Sequence, residues 1–147
     1  MRDFGKCEKI RKDTKIVLID PGSSNNRSKF RLENPQRLEV RVIQVDDCVI
    51  KQGVRCDYLV ITPSQDRTFD SQEIYIELKG SDVRHAVEQI ATTIQKLCSN
   101  MSVLKLCFIA STRCPMNSTQ IQNLKKKFRK KYNAKLTIKN GEITYEV

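Results

Sequence analysis

The chain has 147 residues, 30% of them charged and 39% hydrophobic, with a formal net charge of +10. This length suits one domain that buries a core without needing zinc or a disulfide framework, and the balance excludes a disordered or membrane-spanning chain. The excess charge is one-sided: residues 89–141 hold eleven Lys and Arg and no Asp or Glu, whereas the remainder carries sixteen basic and seventeen acidic residues. A one-sided positive field suits a polyanion, and nucleic acid is the default partner.

No apolar run approaches transmembrane length, and the first fifteen residues lack a signal-peptide core, so a cytoplasmic protein without a membrane partner is expected. Cys7, Cys48, Cys56, Cys98, Cys107 and Cys114 include no C-x-x-C pair, and all six are expected to be reduced.

Residues 1–15 give no clear secondary-structure signal. Lys15 to Asp20 suits a short strand, followed by a Pro-Gly-Ser-Asn loop over 21–26. Leu38 to Ile50 is rich in β-branched residues and reads as a strand, with a turn or bulge at Asp46-Asp47. A second strand is expected over Arg55 to Thr62, a polar loop over 63–71, and a third strand over Glu73 to Lys79, closed by Gly80. Ser81 or Asp82 then caps a helix whose inner face is Val83, Ala86, Val87, Ile90, Ile94 and Leu97. Val103 to Ala110 reads as a strand buried on both faces. Ser118 caps a second helix facing inward through Ile121, Leu124 and Phe128. Asn140-Gly141, between Leu136–Lys139 and Glu142–Val147, signals a type I′ β-hairpin. The expected fold is a single α/β domain over 1–147, a mixed sheet flanked by helices with a C-terminal β-hairpin. The first three strands make a meander, and the helix after the third crosses to the fourth.

The third strand carries the chemistry. Alternation puts Ile74, Ile76 and Leu78 on one face and Tyr75, Glu77 and Lys79 on the other. If the second strand pairs beside it, Asp57 comes close to Glu77. Two neighbouring carboxylates repel each other, and a hard divalent cation relieves that. Glu-Leu-Lys alone is common on any strand surface, where it makes a weak ion pair. Its weight comes from the upstream Asp and the capped helix that follows.

Asp57, nineteen intervening residues and then Glu77-Leu78-Lys79 resemble the PD-(D/E)XK nucleases, the restriction-endonuclease-like fold, over about residues 38–110. The resemblance implies a Mg²⁺-dependent nuclease, with Mn²⁺ as a substitute, cutting DNA phosphodiesters. It assigns metal binding to Asp57, Glu77 and the backbone carbonyl of Leu78, and water orientation and charge neutralisation to Lys79. The family often has Pro before the Asp, where this chain has Cys56. It often adds a Glu from an N-terminal helix, for which Glu8, Glu33 and Glu39 are candidates. Some branches carry a Gln and a Tyr four residues apart on the following helix; here these positions are Gln89 and Thr93. His85, the sole histidine, lies one turn before Gln89, opposite the apolar stripe. The family mechanism does not need it, and a solvated surface role is the plainer reading.

Lys125, Lys126, Lys127, Arg129, Lys130 and Lys131 on the second helix suit either a solvated face or a phosphate-backbone contact, and Arg113 is a weaker candidate for contact. Two other functions fit the sequence. One is a catalytically silent nuclease-like subunit that binds nucleic acid or joins an assembly; the other is a basic nucleic-acid-binding protein of unrelated fold. The nuclease reading allows a homodimer, whose two-fold axis would match duplex symmetry.

Overall fold

The computed structural model describes residues 2–21, 28–64, 71–78, 82–112 and 116–147. Lys79, Gly80, Ser81 and Arg113 lie outside the described residues, as does most of the two expected loops at 21–26 and 63–71.

The described residues form three layers. The central layer is a six-stranded sheet in the order β1-β4-β5-β6-β7-β8. Its strands are β1 Glu8–Arg11, β4 Val40–Gln44, β5 Tyr58–Pro63, β6 Ser71–Leu78, β7 Lys105–Ser111 and β8 Ala134–Asn140. The helices α1 Val83–Leu97 and α2 Ser118–Tyr132 pack on one face, and a three-stranded sheet covers the other. That smaller sheet is β2 Lys15–Ile19, β3 Lys29–Glu33 and β9 Glu142–Glu146, in the order β2-β3-β9.

Burial follows from this layering. β2 and β3 alternate, sending Ile16, Leu18, Phe30 and Leu32 inward, because only one of their faces meets a core. β5, β6 and β7 are apolar on both faces because both are covered. Ile74, Ile76 and Leu78 of β6 point into the core between the sheets, whereas Tyr75 points into the core beneath the helices. β4, β5 and β6 form the expected antiparallel meander, and α1 makes the crossover to β7, parallel to β6. A second crossover through α2 places β8 parallel to β7.

The helix caps have clear chemical causes. Asp82 caps α1 by accepting from the His85 N–H at 3.2 Å. α2 is capped by Asn117 rather than Ser118, in a reciprocal box with Gln120 at 2.8 and 3.0 Å. Phe128 is the one fully buried residue of α2, and its basic residues are exposed.

Three further expectations are corrected. The Asn140-Gly141 hairpin does not form, since β8 pairs with β7 while β9 pairs in parallel with β3 of the other sheet. A type I′ turn needs positive φ at both central residues. Only Gly141 has it, at +86°. Gly141 instead bridges the sheets, donating to Ser111 O at 3.0 Å and accepting from Lys29 N at 3.3 Å. The strand expected over 38–50 ends at Gln44, because a bulge and turn occupy the residues that follow.

The third correction concerns the cysteines. Cys7 and Cys48 form a disulfide, with Cα atoms 5.6 Å apart and a sequence separation of 41. Pairing of Glu8 with Ile43 brings Cys7 to the exit of β4, a contact invisible in a segment with no strand signal. Closing a loop of this length removes unfolded-state entropy equivalent to about 4 kcal/mol.

Phe108 holds the two sheets together, its ring 5.1 Å from Phe30 and 5.5 Å from Tyr145. Phe108→Ala is expected to cost about 3–5 kcal/mol in urea unfolding; a loss below about 1 kcal/mol would contradict this account of the interface.

Candidate metal centre

Strand register brings the two expected carboxylates together. Tyr58 of β5 lies opposite Ile76 of β6, so the preceding Asp57 meets the following Glu77. Both face the helix layer, because their neighbours Tyr58 and Ile76 face the smaller sheet. Their carboxyl groups lie close enough to interact, and two carboxylates so placed repel unless a proton or a cation lies between them. Asp57 Oδ2 also accepts from the Leu78 N–H at 2.7 Å. Asp57 is 6% exposed and Glu77 3%, and Glu77 Oε1 is buried with no hydrogen-bond partner. An orphaned carboxylate oxygen is costly unless something polar or cationic reaches it.

Burial is the main cause that raises the pKa of both carboxyls. For Asp57 the Leu78 N–H opposes the shift, while Asp20 and Asp46 add to it; for Glu77 the neighbouring Asp57 charge comes second. Without a cation the pair therefore holds a proton that ordinary carboxyls would release.

Two further carboxylates join from unexpected places. Val45 N and Asp46 N both donate to Asp57 O, at 2.9 and 3.3 Å, so β4 leaves the sheet through a bulge that turns Asp46 toward Asp57. Asp46 Oδ1 accepts from Arg55 Nε at 2.9 Å. Asp20 follows the last residue of β2, which is anchored where Tyr58 Oη donates to Ile19 O at 2.9 Å. One carboxylate oxygen from each of Asp20, Asp46 and Asp57 lies within 4.8 Å of the others.

Beside this cluster is a cavity of about 410 Å³, lined by Asp46, Arg55, Asp57, Glu77, His85 and Gln89 among others. α1 supplies the last two from its polar face. Gln89 Nε2 donates to Arg55 O at 2.9 Å, while the His85 side chain is 57% exposed at the rim. Thr93 accepts from Cys56 N at 2.9 Å, fixing the residue before Asp57 to the helix. A larger cavity of about 770 Å³ lies along β1 and β4. Its carboxylates Glu8, Glu39 and Glu73 are already paired with Arg41, Lys12 and Arg2, at 2.7, 3.4 and 2.6 Å, so it lacks a comparable unmet charge.

The structure thus brings together Asp57, Glu77 and Gln89, with Leu78 contributing its N–H to Asp57. It does not bring Glu33 or Glu39 to the cluster. Glu39 pairs with Lys12 at 3.4 Å on the surface, and Glu33 sits on β3 opposite Lys15 and Glu146. Glu8 is held by Arg41 on the far edge strand. The N-terminal segment is a single 3₁₀ turn at Gly5–Cys7 followed by β1, on which Glu8 lies, and Asp20 and Asp46 stand near the pair instead. The sequence signs for these two were modest: Asp20 ends an alternating apolar run, and Asp46 lies in the anticipated bulge. Lys125, Lys126, Lys127, Arg129 and Lys130 are exposed on α2, and none lines the cavity. No family model, curated protein or solved structure matches the chain.

The raised carboxyl pKa values predict a pH dependence of stability without metal. Between the ordinary carboxylate range and the raised folded values, the folded state binds more protons than the unfolded one. Stability therefore falls as pH rises through that window. At pH 8 in EDTA, Glu77→Gln is expected to raise Tm by at least about 3 °C, roughly 1 kcal/mol for a chain of this size. Calorimetry showing an unchanged or lower Tm would remove the strain attributed to this pair.

Proposed function

We propose that the protein is a divalent-metal-dependent nuclease that hydrolyses DNA phosphodiester bonds, built as the PD-(D/E)XK enzymes are. The observation that carries this reading is the meeting of Asp57 and Glu77 across β5 and β6 at an open cavity, with Glu77 Oε1 buried and unsatisfied. The order meander, α1, parallel β7 also agrees with that family's arrangement.

The donor set fits a hard cation, being carboxylate oxygens without thiol or imidazole in the cluster. Asp57 and Glu77 would hold Mg²⁺ or Mn²⁺, helped by the Leu78 carbonyl. The cation would supply Lewis acidity and a bound water of lowered pKa.

The chain's own residues do the remainder. The Leu78 N–H fixes one oxygen of Asp57, leaving the other to face Glu77 or a ligand. Lys79, two residues after Glu77, is assigned from sequence order to orient the attacking water and offset charge gained by the phosphate in the transition state. Arg55 and His85 stand at the cavity, where a phosphodiester would enter. The net charge of +10 and the exposed basic face of α2 favour backbone contacts with duplex DNA, which would be salt-sensitive.

Purified protein is expected to cut DNA with Mg²⁺ and not with EDTA. Asp57→Asn and Lys79→Ala should each reduce the rate at least about 10²-fold, the scale of losing one electrostatic catalytic group, without lowering Tm. Failure to cut duplex, branched or single-stranded DNA, or RNA, with either Mg²⁺ or Mn²⁺ would overturn the nuclease reading in favour of a nucleic-acid-binding or assembly role.

A further inference from the structure

The two helices enclose a groove that the catalytic assignment leaves unused. It holds about 290 Å³ and runs between α1 and the C-terminal half of α2. Val87, Ala91 and Phe128 form its floor, each at most 9% exposed. Arg84 of α1 and Lys127 and Lys131 of α2 stand on its walls, against one carboxylate among its described lining residues, Glu88. The half-buried ring of Tyr132 lies at its far end, 4.9 Å from Phe128, with the Lys131 ammonium 5.4 Å from its centre. Gln95 Nε2 donates to Tyr132 Oη there at 3.4 Å.

Chemistry narrows the occupant. An anion is favoured, since three cations face a carboxylate that already sits 3.9 Å from His85 Nδ1. A docking amphipathic helix gains energy by covering apolar surface, and this floor is already out of water. What stays open is an aromatic ring among exposed cations and polar tips. That combination holds an unpaired strand, with phosphates on the cations and a base on the ring. A continuous duplex keeps its bases stacked inside and offers none to Tyr132.

Position agrees with this occupant. His85 and Gln89 of α1 line the metal cavity, while their neighbours Arg84 and Glu88 line the groove, so the two sites flank one helix. From Arg84 to Gln95 the groove follows α1 for about 16 Å, room for a short run of nucleotides. We propose that the α1–α2 groove binds an unpaired DNA strand leading to the metal centre, which makes the substrate a duplex with a single-stranded arm. This deepens the nuclease reading and rests on it only for what happens at the metal centre.

Binding is measured in EDTA, where nothing is cut. Full-length protein is titrated into three fluorescein-labelled probes: oligothymidylate, a blunt duplex, and that duplex with an oligothymidylate arm. The armed duplex is expected to bind at least about tenfold tighter than the blunt one. Lys127→Ala/Lys131→Ala should remove that preference. Lys126→Ala/Lys130→Ala removes the same charge at the same spacing outside the groove; it should weaken both duplexes alike and keep the preference. Tyr132→Leu should weaken oligothymidylate at least about fivefold, the low end for a lost base–aromatic stack, and spare the blunt duplex. If Tyr132→Leu fails to fold, the two lysine pairs decide. No preference for the armed duplex, or equal effects of the two lysine pairs, overturns the proposal. So does polyglutamate displacing oligothymidylate at equal charge concentration, which would make the groove a seat for an acidic protein segment. The expected preference without cleavage of any substrate in Mg²⁺ would sink the nuclease reading and keep the groove. Cleavage in Mg²⁺ with equal binding of both duplexes would do the reverse.

Discussion

The contact between Asp57 and Glu77 is set by backbone pairing rather than by any attraction between the side chains. Asp57 N donates to Ile76 O at 3.1 Å, and the ladder from Tyr58–Ile76 onward leaves the two carboxyls no other place to go. Slipping the register by one residue would send both into the core between the sheets, where Ile76 and Leu78 now pack. The large apolar faces of β5 and β6 forbid that slip. Hydrophobic burial along two central strands is thus what holds two mutually repelling, partly protonated groups in contact.

The smaller sheet extends this constraint. Without it the second face of β5, β6 and β7 would be open to water, and Phe108 would have no aromatic partners from β3 and β9. The same packing carries the end of β2, and with it Asp20, to the site. Asp46 arrives by a different device, the bulge at Val45–Asp46, and the Cys7–Cys48 disulfide lies two residues beyond it. The disulfide ties that turn to the N-terminal segment, so the position of Asp46 depends on β1 being docked as well as on the bulge. A core, a bulge and a covalent link all converge on one acidic cluster, in which no local preference of the chain favours burying charge.

Elements with strong local periodicity were legible in the sequence. The apolar stripe from Val83 to Ile94 and the cap at Asp82 specify α1, and the meander with its crossover follows from strand order. Asp57 and Glu77 could be placed because alternation fixes the face of a side chain and pairing fixes its partner. Features decided by distant partners were not legible. β1 and β3 are short and mixed in character, and each pairs with a strand over thirty residues away in the chain, β4 for the first and β9 for the second. Asn140-Gly141 has the composition of a hairpin, but β9 gains more by burying Ile143 and Val147 against the large sheet than by folding back on β8. The Cys7–Cys48 pair was missed for the same reason, since the β1–β4 pairing that makes it is not written in either segment.

The distribution of charge orders the events at such a centre. The chain carries +10 with its basic excess confined to residues 89–141, yet three carboxylates, Asp46, Asp57 and Glu77, line the cavity and Asp20 lies beside them. A phosphodiester brought near by the basic face of α2 would be repelled from the cavity until divalent charge had neutralised it. The acidic cluster and the basic helix therefore do opposite work at different ranges. Under the proposed reading the helix would act at long range and without regard to sequence, while the cluster would admit a phosphate only together with a cation. If the proposed nuclease reading holds, the cost of burying Glu77 would be inseparable from its use, because a site neutral on its own would admit a phosphodiester without the cation needed to cleave it.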